Sequence, residues 1–189
     1  PCKWFYDRRG CEWYERITET QEYYPTRTET ALLQQLAPEL PSLLGPITSI
    51  VELGSGSAAK TRLLFEKNAS VAHYAPIDIS ADFLALTVAS LKNDFAHIDI
   101  TPVVGDFTQP LQIGNLPAQK NKILGFFPGS TIGNFSPPQA TALLDNIRRL
   151  TGDDSWLLIG VDMTQNHATL HAAYDDAAGY TAGFNLNLL

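Results

Sequence analysis

The sequence predicts an α/β protein: an open, mostly parallel sheet preceded by an N-terminal helical segment. Three observations carry this prediction. From residue 48 onward, short apolar runs alternate with longer amphipathic stretches. Gly54, Asp78, Asp106 and Gly129 stand at the carboxyl ends of the first four of these runs, where each leads into a loop. Strands alternating with helices in this way form βαβ units with right-handed crossovers, which cover the sheet on both faces.

The first segment, 1–45, reads as helical and without strands. It is rich in aromatic residues (Trp4, Phe5, Tyr6, Trp13, Tyr14, Tyr23 and Tyr24) interleaved with charges. Its tail, TRTETALLQQLAPEL, has helical periodicity at Ala31, Leu32, Gln35 and Leu36. We expect this segment to form a lid over a substrate site, with residues 46–189 forming the sheet domain.

SIVELG (49–54) is then a buried strand and KTRLLFEKNA a helix, followed by a second strand, HYAPID (73–78). SADFLALTVASLKNDF is the next helix, with Ser80 as its N-cap and Phe83, Leu84, Val88 and Leu91 on one face. ITPVVGDF (100–107) reads as the third strand, and a polar connector, TQPLQIGNLPAQKN, leads to a fourth, KILGFFPG (122–129). SPPQATALLDNIRRL (136–150) opens with a capping box, Ser136 with Gln139, and with Pro137 at the first helical position. Leu143, Leu144, Ile147 and Leu150 give that helix its apolar stripe. WLLIGVDM (156–163) is the fifth strand, and HATLHAAYDDAAG is helical.

Bulk properties narrow the class. A chain of 189 residues supports one domain with a sizeable core. The net charge of −7, with basic residues scattered, argues against nucleic acid as a partner. No run of 18 or more apolar residues occurs, and PCKWFYDRR has no signal-peptide core, so a cytoplasmic, monomeric protein away from membranes is expected. Cys2 and Cys11 read as reduced thiols. His167 and His171 have the spacing of a metal pair but no third ligand nearby, so they read as a solvated helix face and no metal is expected.

Ligands of such sheets bind beyond the carboxyl ends of the strands, close to where the strand order reverses. Gly54, Asp78, Asp106 and Gly129 all fall there. The loop VELGSGSAAKTR (51–62) nearly fits three motifs. It would be a phosphate-cradling loop, but Ala59 replaces the second glycine. Gly54, Gly56 and Ala59 satisfy the dinucleotide fingerprint, with Asp78 placed to take ribose hydroxyls. Glu52 makes it E-x-G-x-G, the form common in S-adenosylmethionine (SAM) binding folds. The SAM reading also uses Asp106, for the adenine amino group, and Phe107, beside the ring. Asp78 and Asp106 can also be read as caps of the helices that follow them.

Taken together, KWFYD (3–7), EYYPTRTE (22–29), VELGSGSAAKTR, PIDIS (76–80), GDF (105–107), FFPGSTIGNF (126–135) and AYDDAAGYTAGFNLNLL (173–189) resemble the histidine-specific SAM-dependent methyltransferases. These are the histidine Nα-methyltransferases of ergothioneine biosynthesis, with fungal relatives acting on a prenylated tryptophan amine. The resemblance runs through the whole chain, and GSTIGN and EYYPTR are its specific parts. It implies a class I, Rossmann-like methyltransferase fold with SAM as cofactor. It further implies a cofactor set of Glu52, Gly54, Gly56, Lys60, Asp78, Asp106 and Phe107, with Lys60 near the methionine carboxylate. The amino-acid set it implies is Tyr6, Tyr23, Gly129, Asn134 and Tyr174, with Asn134 and Tyr174 on the carboxylate. Tyr23 and Gly129 are the residues implied to orient the reacting amine.

Those residue types suit that chemistry. An amide and a phenol donate to a carboxylate without setting a fixed charge against a sulfonium. Aromatic walls favour a cationic methylated amine. In the family, the residues that read the imidazole lie in a C-terminal portion beyond FNLNLL. This chain is therefore expected to hold part of a SAM site and to turn over histidine poorly. A SAM-binding domain without turnover and a NAD-dependent enzyme are the alternative readings.

Overall fold

The computed structural model describes residues 2–114 and 122–188. Part of the connector, 115–121, lies outside the described residues. Three strands form the centre: β1 (Ser49–Leu53), β2 (His73–Asp78) and, further along, the strand Ile123–Phe127. β1 and Ile123–Phe127 are buried at every position, as expected for parallel strands covered on both faces.

The third expected strand, 100–107, is present only as two short pieces, β3 (Asp99–Ile100) and β4 (Val103–Val104). Both pair in parallel with β2. Pro102 sits between them and has no N–H to give the ladder. On either side of the gap, Thr101 N–H donates to the Tyr74 carbonyl and Gly105 N–H to the Asp78 carbonyl, both at 2.9 Å. Gly105, Asp106 and Phe107 are thereby released from the strand into the loop beyond it. Ile123–Phe127 is β5, and β6 (Trp156–Ile159) completes the sheet.

The sheet order is β3-β2-β1-β5-β6, with β4 also on β2, and every pairing is parallel. The order therefore reverses between β1 and β5, so the crevice at their carboxyl ends is the ligand position of this architecture. β6 pairs only with β5 among the described strands, and Trp156 and Leu157 are each 41% exposed.

The helices follow local chemistry. α1 (Arg8–Glu19) starts at Asp7, whose carboxylate accepts from Gly10 N–H at 2.7 Å. α2 (Tyr24–Leu36) carries Pro25 in its first turn. Its buried face differs from the periodicity expected: Leu33 and the following Ala37 are buried, while Leu32 is 60% exposed. α3 (Leu40–Leu44) is a short turn before the sheet.

α4 (Ala59–Lys67) and α5 (Ala81–Asp94) pack beside β1 and β2. Leu84, Val88 and Leu91 of α5 face the core as predicted. Ser80 stands at the α5 N-cap, but its side chain makes no cap bond; its N–H donates to Asp78 instead. α6 (Pro137–Thr151) has the capping box, Gln139 Oε1 accepting from the Ser136 N–H at 2.9 Å.

The last helical stretch, expected over 167–179, is two helices. α7 (His167–Ala173) ends early, and α8 (Tyr180–Asn185) starts afresh. Asp176 causes the restart: its carboxylate accepts from Tyr180 N–H at 2.8 Å and Thr181 N–H at 2.7 Å. α8 packs on α1. Ile17, Tyr23 and Ala173 are buried there with Tyr14, Tyr24, Tyr180 and Phe184, so both ends of the chain build one aromatic cluster. Each large apolar side chain fully buried in such a cluster stabilises the fold by about 1.5–3 kcal/mol.

Among the described residues, Cys11 is a free, buried thiol, and burial pushes its pKa up to about 11. No described helix is long and apolar enough to cross a membrane.

Candidate functional site

A cavity of about 520 Å³ opens at the carboxyl ends of β1, β2 and β5, beneath α1 and α2. Its size is that of a small-molecule or cofactor pocket.

One half is built from strand-end loops. Leaving β1, the chain takes positive φ at Gly54 (+70°), Gly56 (+50°) and Ala58 (+55°) before α4 begins. Glycine adopts this region freely, whereas Ala58 is strained there. The alternation folds the loop tightly against the end of β2. Asp78 holds it there: its carboxylate accepts from Gly56 N–H and from Ser80 N–H, each at 3.0 Å.

Beneath the loop, Glu52 is 2% exposed and accepts from Thr61 Oγ1 at 2.5 Å and from the Tyr74 hydroxyl. Burial raises the Glu52 pKa to about 7, against the pull of those two donors. A Cβ added at Gly54 would meet the Phe107 ring at 3.6 Å, an ordinary van der Waals contact, so the positive φ and not crowding calls for glycine there. Phe107 in turn stands edge-on to Phe127, with ring centroids 5.6 Å apart.

At the far end of this half lies Asp106. It pairs with Lys3 at 2.8 Å and accepts from Thr108 N–H at 2.9 Å and Thr108 Oγ1 at 2.6 Å. Burial by itself would raise the Asp106 pKa, but the Lys3 ammonium and the Thr108 donors outweigh it and hold the carboxyl below its usual range.

The other half is built around the loop after β5, where Gly129 (+83°) and Ser130 (+55°) both have positive φ. Gly129, Thr131 and Asn134 line the cavity here, with Tyr6 and Tyr14 opposite them. Tyr6 and Tyr14 meet edge-to-face at 5.6 Å. Tyr23 and Tyr174 are not among the described residues on the wall. Tyr23 is 5% exposed, its hydroxyl 3.5 Å from that of Tyr14, and its ring stands perpendicular to Tyr174 at 5.7 Å. Tyr174 is 56% exposed. Burial drives the Tyr14 and Tyr23 phenols well above their ordinary pKa, so both are neutral hydrogen-bonding groups at physiological pH.

Lys60 does not stand free in the loop. It forms an ion pair with Glu29 of α2, and both side chains are 16% exposed. Glu29 also accepts from Gly129 N–H. A second carboxylate from the helical segment, Glu15, lines the cavity near Ser57 and Lys60. Burial raises its pKa, with the Ser57 hydroxyl and Lys60 opposing.

Ten of the twelve residues singled out in the sequence thus gather at one cavity: Glu52, Gly54, Gly56, Lys60, Asp78, Asp106, Phe107, Tyr6, Gly129 and Asn134 line it, while Tyr23 and Tyr174 stand behind. Sequence reasoning missed Tyr14, Glu15 and Glu29. On α2, Thr26, Glu29 and Thr30 share one face at i, i+3, i+4 spacing, but a search for apolar stripes passes over them and polarity alone does not mark that face as inward. His167 and His171 lie away from the cavity wall, and His171 Nδ1 is 3.8 Å from Asp175.

The whole chain, residues 1–189, matches the family described as histidine-specific methyltransferase, SAM-dependent. The chain belongs to that family. The histidine N-alpha-methyltransferase of Mycobacterium tuberculosis is 36% identical over 192 residues, covering 100% of this chain and 59% of that relative. The enzyme of the same name from Mycolicibacterium smegmatis is 38% identical over 192 residues, with the same coverage. A 4-dimethylallyltryptophan N-methyltransferase from Claviceps purpurea is 29% identical over 182 residues, covering 90% of this chain and 53% of its own length. The chain therefore spans 59% of the length of these mycobacterial relatives.

Among solved structures, a Pyrococcus horikoshii OT3 protein aligns with a TM-score of 0.51 at 18% identity, over 85% of this chain and 66% of its own. Mitomycin 7-O-methyltransferase aligns at 0.51 and 13% identity, over 84% of this chain and 46% of its own. At these identities the likeness shows the fold alone, a class I methyltransferase sheet. Membership of the family decides among the three ligands that the loop after β1 nearly fits, in favour of SAM.

Proposed function

We propose that the cavity holds SAM along the loops after β1, β2 and β4, and the α-amino group of an amino acid, histidine, at the loop after β5. The observation that carries this reading is the Asp78–Gly56 bond, which fixes the glycine loop and the β2 carboxylate as one surface. Each Asp78 oxygen accepts one backbone N–H and keeps a lone pair for a ribose hydroxyl. Gly56 has nothing within 4 Å of where a Cβ would stand, so the backbone is open to close approach by a ligand. These features fit the cofactor. Bound there, SAM supplies an electrophilic methyl group on a sulfonium.

The chain's own residues would then position and desolvate. Asn134 donates to the substrate carboxylate; Tyr174, packed on Tyr23 off the cavity wall, joins that grip only by turning its ring toward the cavity. Tyr6 and Tyr14 present ring faces and edges to an amine that becomes cationic as methyl groups accumulate. Tyr23 acts through Tyr14, as a neutral phenol behind the wall. Gly129 offers its backbone to the amine. No group here is a strong base: free α-amines titrate at about 8, so a neutral fraction is present without one. Catalysis is then mainly the alignment of reacting atoms about 3–3.5 Å apart. Helices α1 and α2 serve as the lid, and the protein works as a cytoplasmic monomer on a small molecule.

Calorimetry tests the reading. S-adenosylhomocysteine should bind with micromolar affinity, and histidine should bind to that complex more tightly than to the free protein. Binding of NAD with indifference to S-adenosylhomocysteine would overturn it. Detection of methylated histidine by mass spectrometry after incubation with SAM would extend the reading from binding to turnover.

A further inference from the structure

Glu29 joins the two halves of the cavity. It projects from α2, pairs with Lys60 in the first turn of α4, and accepts the Gly129 N–H with both oxygens at 2.9 Å. It is seated in a space kept open by a third element: a Cβ at Gly160, just past β6, would collide with the Glu29 carboxylate and lie 3.3 Å from the Gly129 nitrogen. Gly160 is itself fixed, its N–H donating to the Phe127 carbonyl at 3.0 Å. Three elements besides its own helix thus converge on one carboxylate, and none of them is its neighbour in sequence.

We propose that Glu29 is a positioning residue that locks the cofactor loop to the acceptor loop, acting through Lys60 and the Gly129 amide. The inference rests on the methyltransferase reading of the cavity. Lys60 has three N–H donors, and the Glu29 bond leaves two for a ligand carboxylate. The same bond holds a flexible four-carbon chain in one orientation, so that a ligand meets an ammonium already aimed.

A competing picture is that Glu29 merely occupies a carboxylate site that the ligand must take over. The Gly160 gap argues against it, because the backbone is shaped around this carboxylate and not around the cavity. On the acceptor side, a bond from the Gly129 N–H fixes a residue at φ +83°, whose orientation would otherwise be set by the loop alone.

The experiment is a double-mutant cycle on S-adenosylhomocysteine binding, read by calorimetry on the full chain: wild type, Glu29→Gln, Lys60→Met and the double variant. Glu29→Gln should weaken binding about tenfold in the wild-type background and less than about twofold when Lys60 is already Met. A purely structural role would weaken binding equally in both backgrounds and overturn the proposal. A gain of affinity in Glu29→Gln would show that the carboxylate competes with the ligand, and would overturn it too.

Should Glu29→Gln fail to fold, Gly160→Ala displaces the carboxylate sterically. It should show the same loss, abolished by Lys60→Met. Amide exchange at Gly129 gives the second arm: faster in Glu29→Gln and unchanged in Lys60→Met. Equal exchange in wild type and Glu29→Gln would overturn that arm. If wild type binds no S-adenosylhomocysteine, the methyltransferase reading itself fails; if it binds and the cycle shows no coupling, only the role of Glu29 does.

Discussion

The two halves of the cavity are held by different kinds of structure. The half proposed for the cofactor, called the cofactor half below, is made of loops one or two residues beyond hydrogen-bonded parallel strands, and its polar groups are tied to backbone amides a few residues away from the strands themselves. Asp78 follows directly from the β2 ladder and reaches only as far as Gly56 and Ser80. The half proposed for the amino acid, called the acceptor half below, depends on side chains brought from both ends of the chain. Tyr6 comes from just before α1, Tyr14 from α1 itself, and Tyr174 follows α7. Phe184 of α8 packs against Tyr6 and Tyr14, at 5.2 and 6.2 Å. A surface pinned by a sheet is set by short-range geometry; one assembled from terminal helices is set by long-range packing and is softer. Substitutions in the first half should therefore act through cofactor affinity, and those in the second through the amino acid alone.

The strongest test of that division is Asp78→Ala. It removes the acceptor for two loop N–H groups together with the proposed ribose partner. The dissociation constant for S-adenosylhomocysteine should rise about 100-fold, equivalent to ~2.8 kcal/mol. A change below threefold, measured by calorimetry on a variant whose melting temperature is retained, would mean that the loop holds the cofactor without β2.

Glu52 gives the next largest effect, and its sign is fixed by its environment. Its folded pKa of about 7 lies above the ordinary 4.5, so between these values the folded state binds more protons than the unfolded. Stability is therefore greatest below the unfolded pKa and falls as pH rises through 7, by at most about 1.4 kcal/mol per pH unit for one proton. Glu52→Gln removes this titration. Melting temperatures between pH 5 and 8 should fall more steeply in wild type than in the variant; parallel curves would show that Glu52 is not the group responsible.

Asn134→Ala probes the softer half. Histidine affinity for the S-adenosylhomocysteine complex should drop about tenfold, ~1.4 kcal/mol, as one donor to a carboxylate is lost. Affinity for S-adenosylhomocysteine itself should stay within about twofold. An equal loss of both ligands would abolish the distinction between the halves.

The same difference explains what was legible in the sequence. Gly54, Gly56, Asp78 and Asp106 could be read from strand ends because their roles are local: each lies at or just beyond a strand whose pattern is visible. The strand order, too, is consistent with the crossovers that βαβ spacing dictates. Glu29 could not be found this way. Its partners, Lys60 and Gly129, are 31 and 100 residues away, and nothing in TRTETALL marks the carboxylate as inward-facing.

The errors on Leu32 and on the strand 100–107 share a cause. Periodicity gave the helix but chose a face without knowing where β1 lay, and Pro102 broke a ladder that hydrophobicity alone would have continued. α8 was hidden because its start signal is a side-chain bond from Asp176 and not an apolar stripe.

The smallest predicted effect tests whether the N-terminal segment and the cofactor half are independent. Lys3, in an N-terminal 3-10 turn (Cys2–Phe5), pairs with Asp106 at 2.8 Å, but its side chain is 34% exposed. A pair so open to solvent is screened and contributes roughly 0–1 kcal/mol. Lys3→Ala should move the melting temperature little. It removes the cation that helps hold Asp106 ionised, and it also frees one Asp106 oxygen for an adenine amino group, so the two consequences oppose each other. S-adenosylhomocysteine affinity should accordingly change by less than about threefold at 150 mM salt. A tenfold gain in affinity would show that Lys3 competes for the adenine position and that the N-terminal turn restrains the cofactor half. The boundary between the halves would then run through Asp106 and not between the β1 and β5 loops.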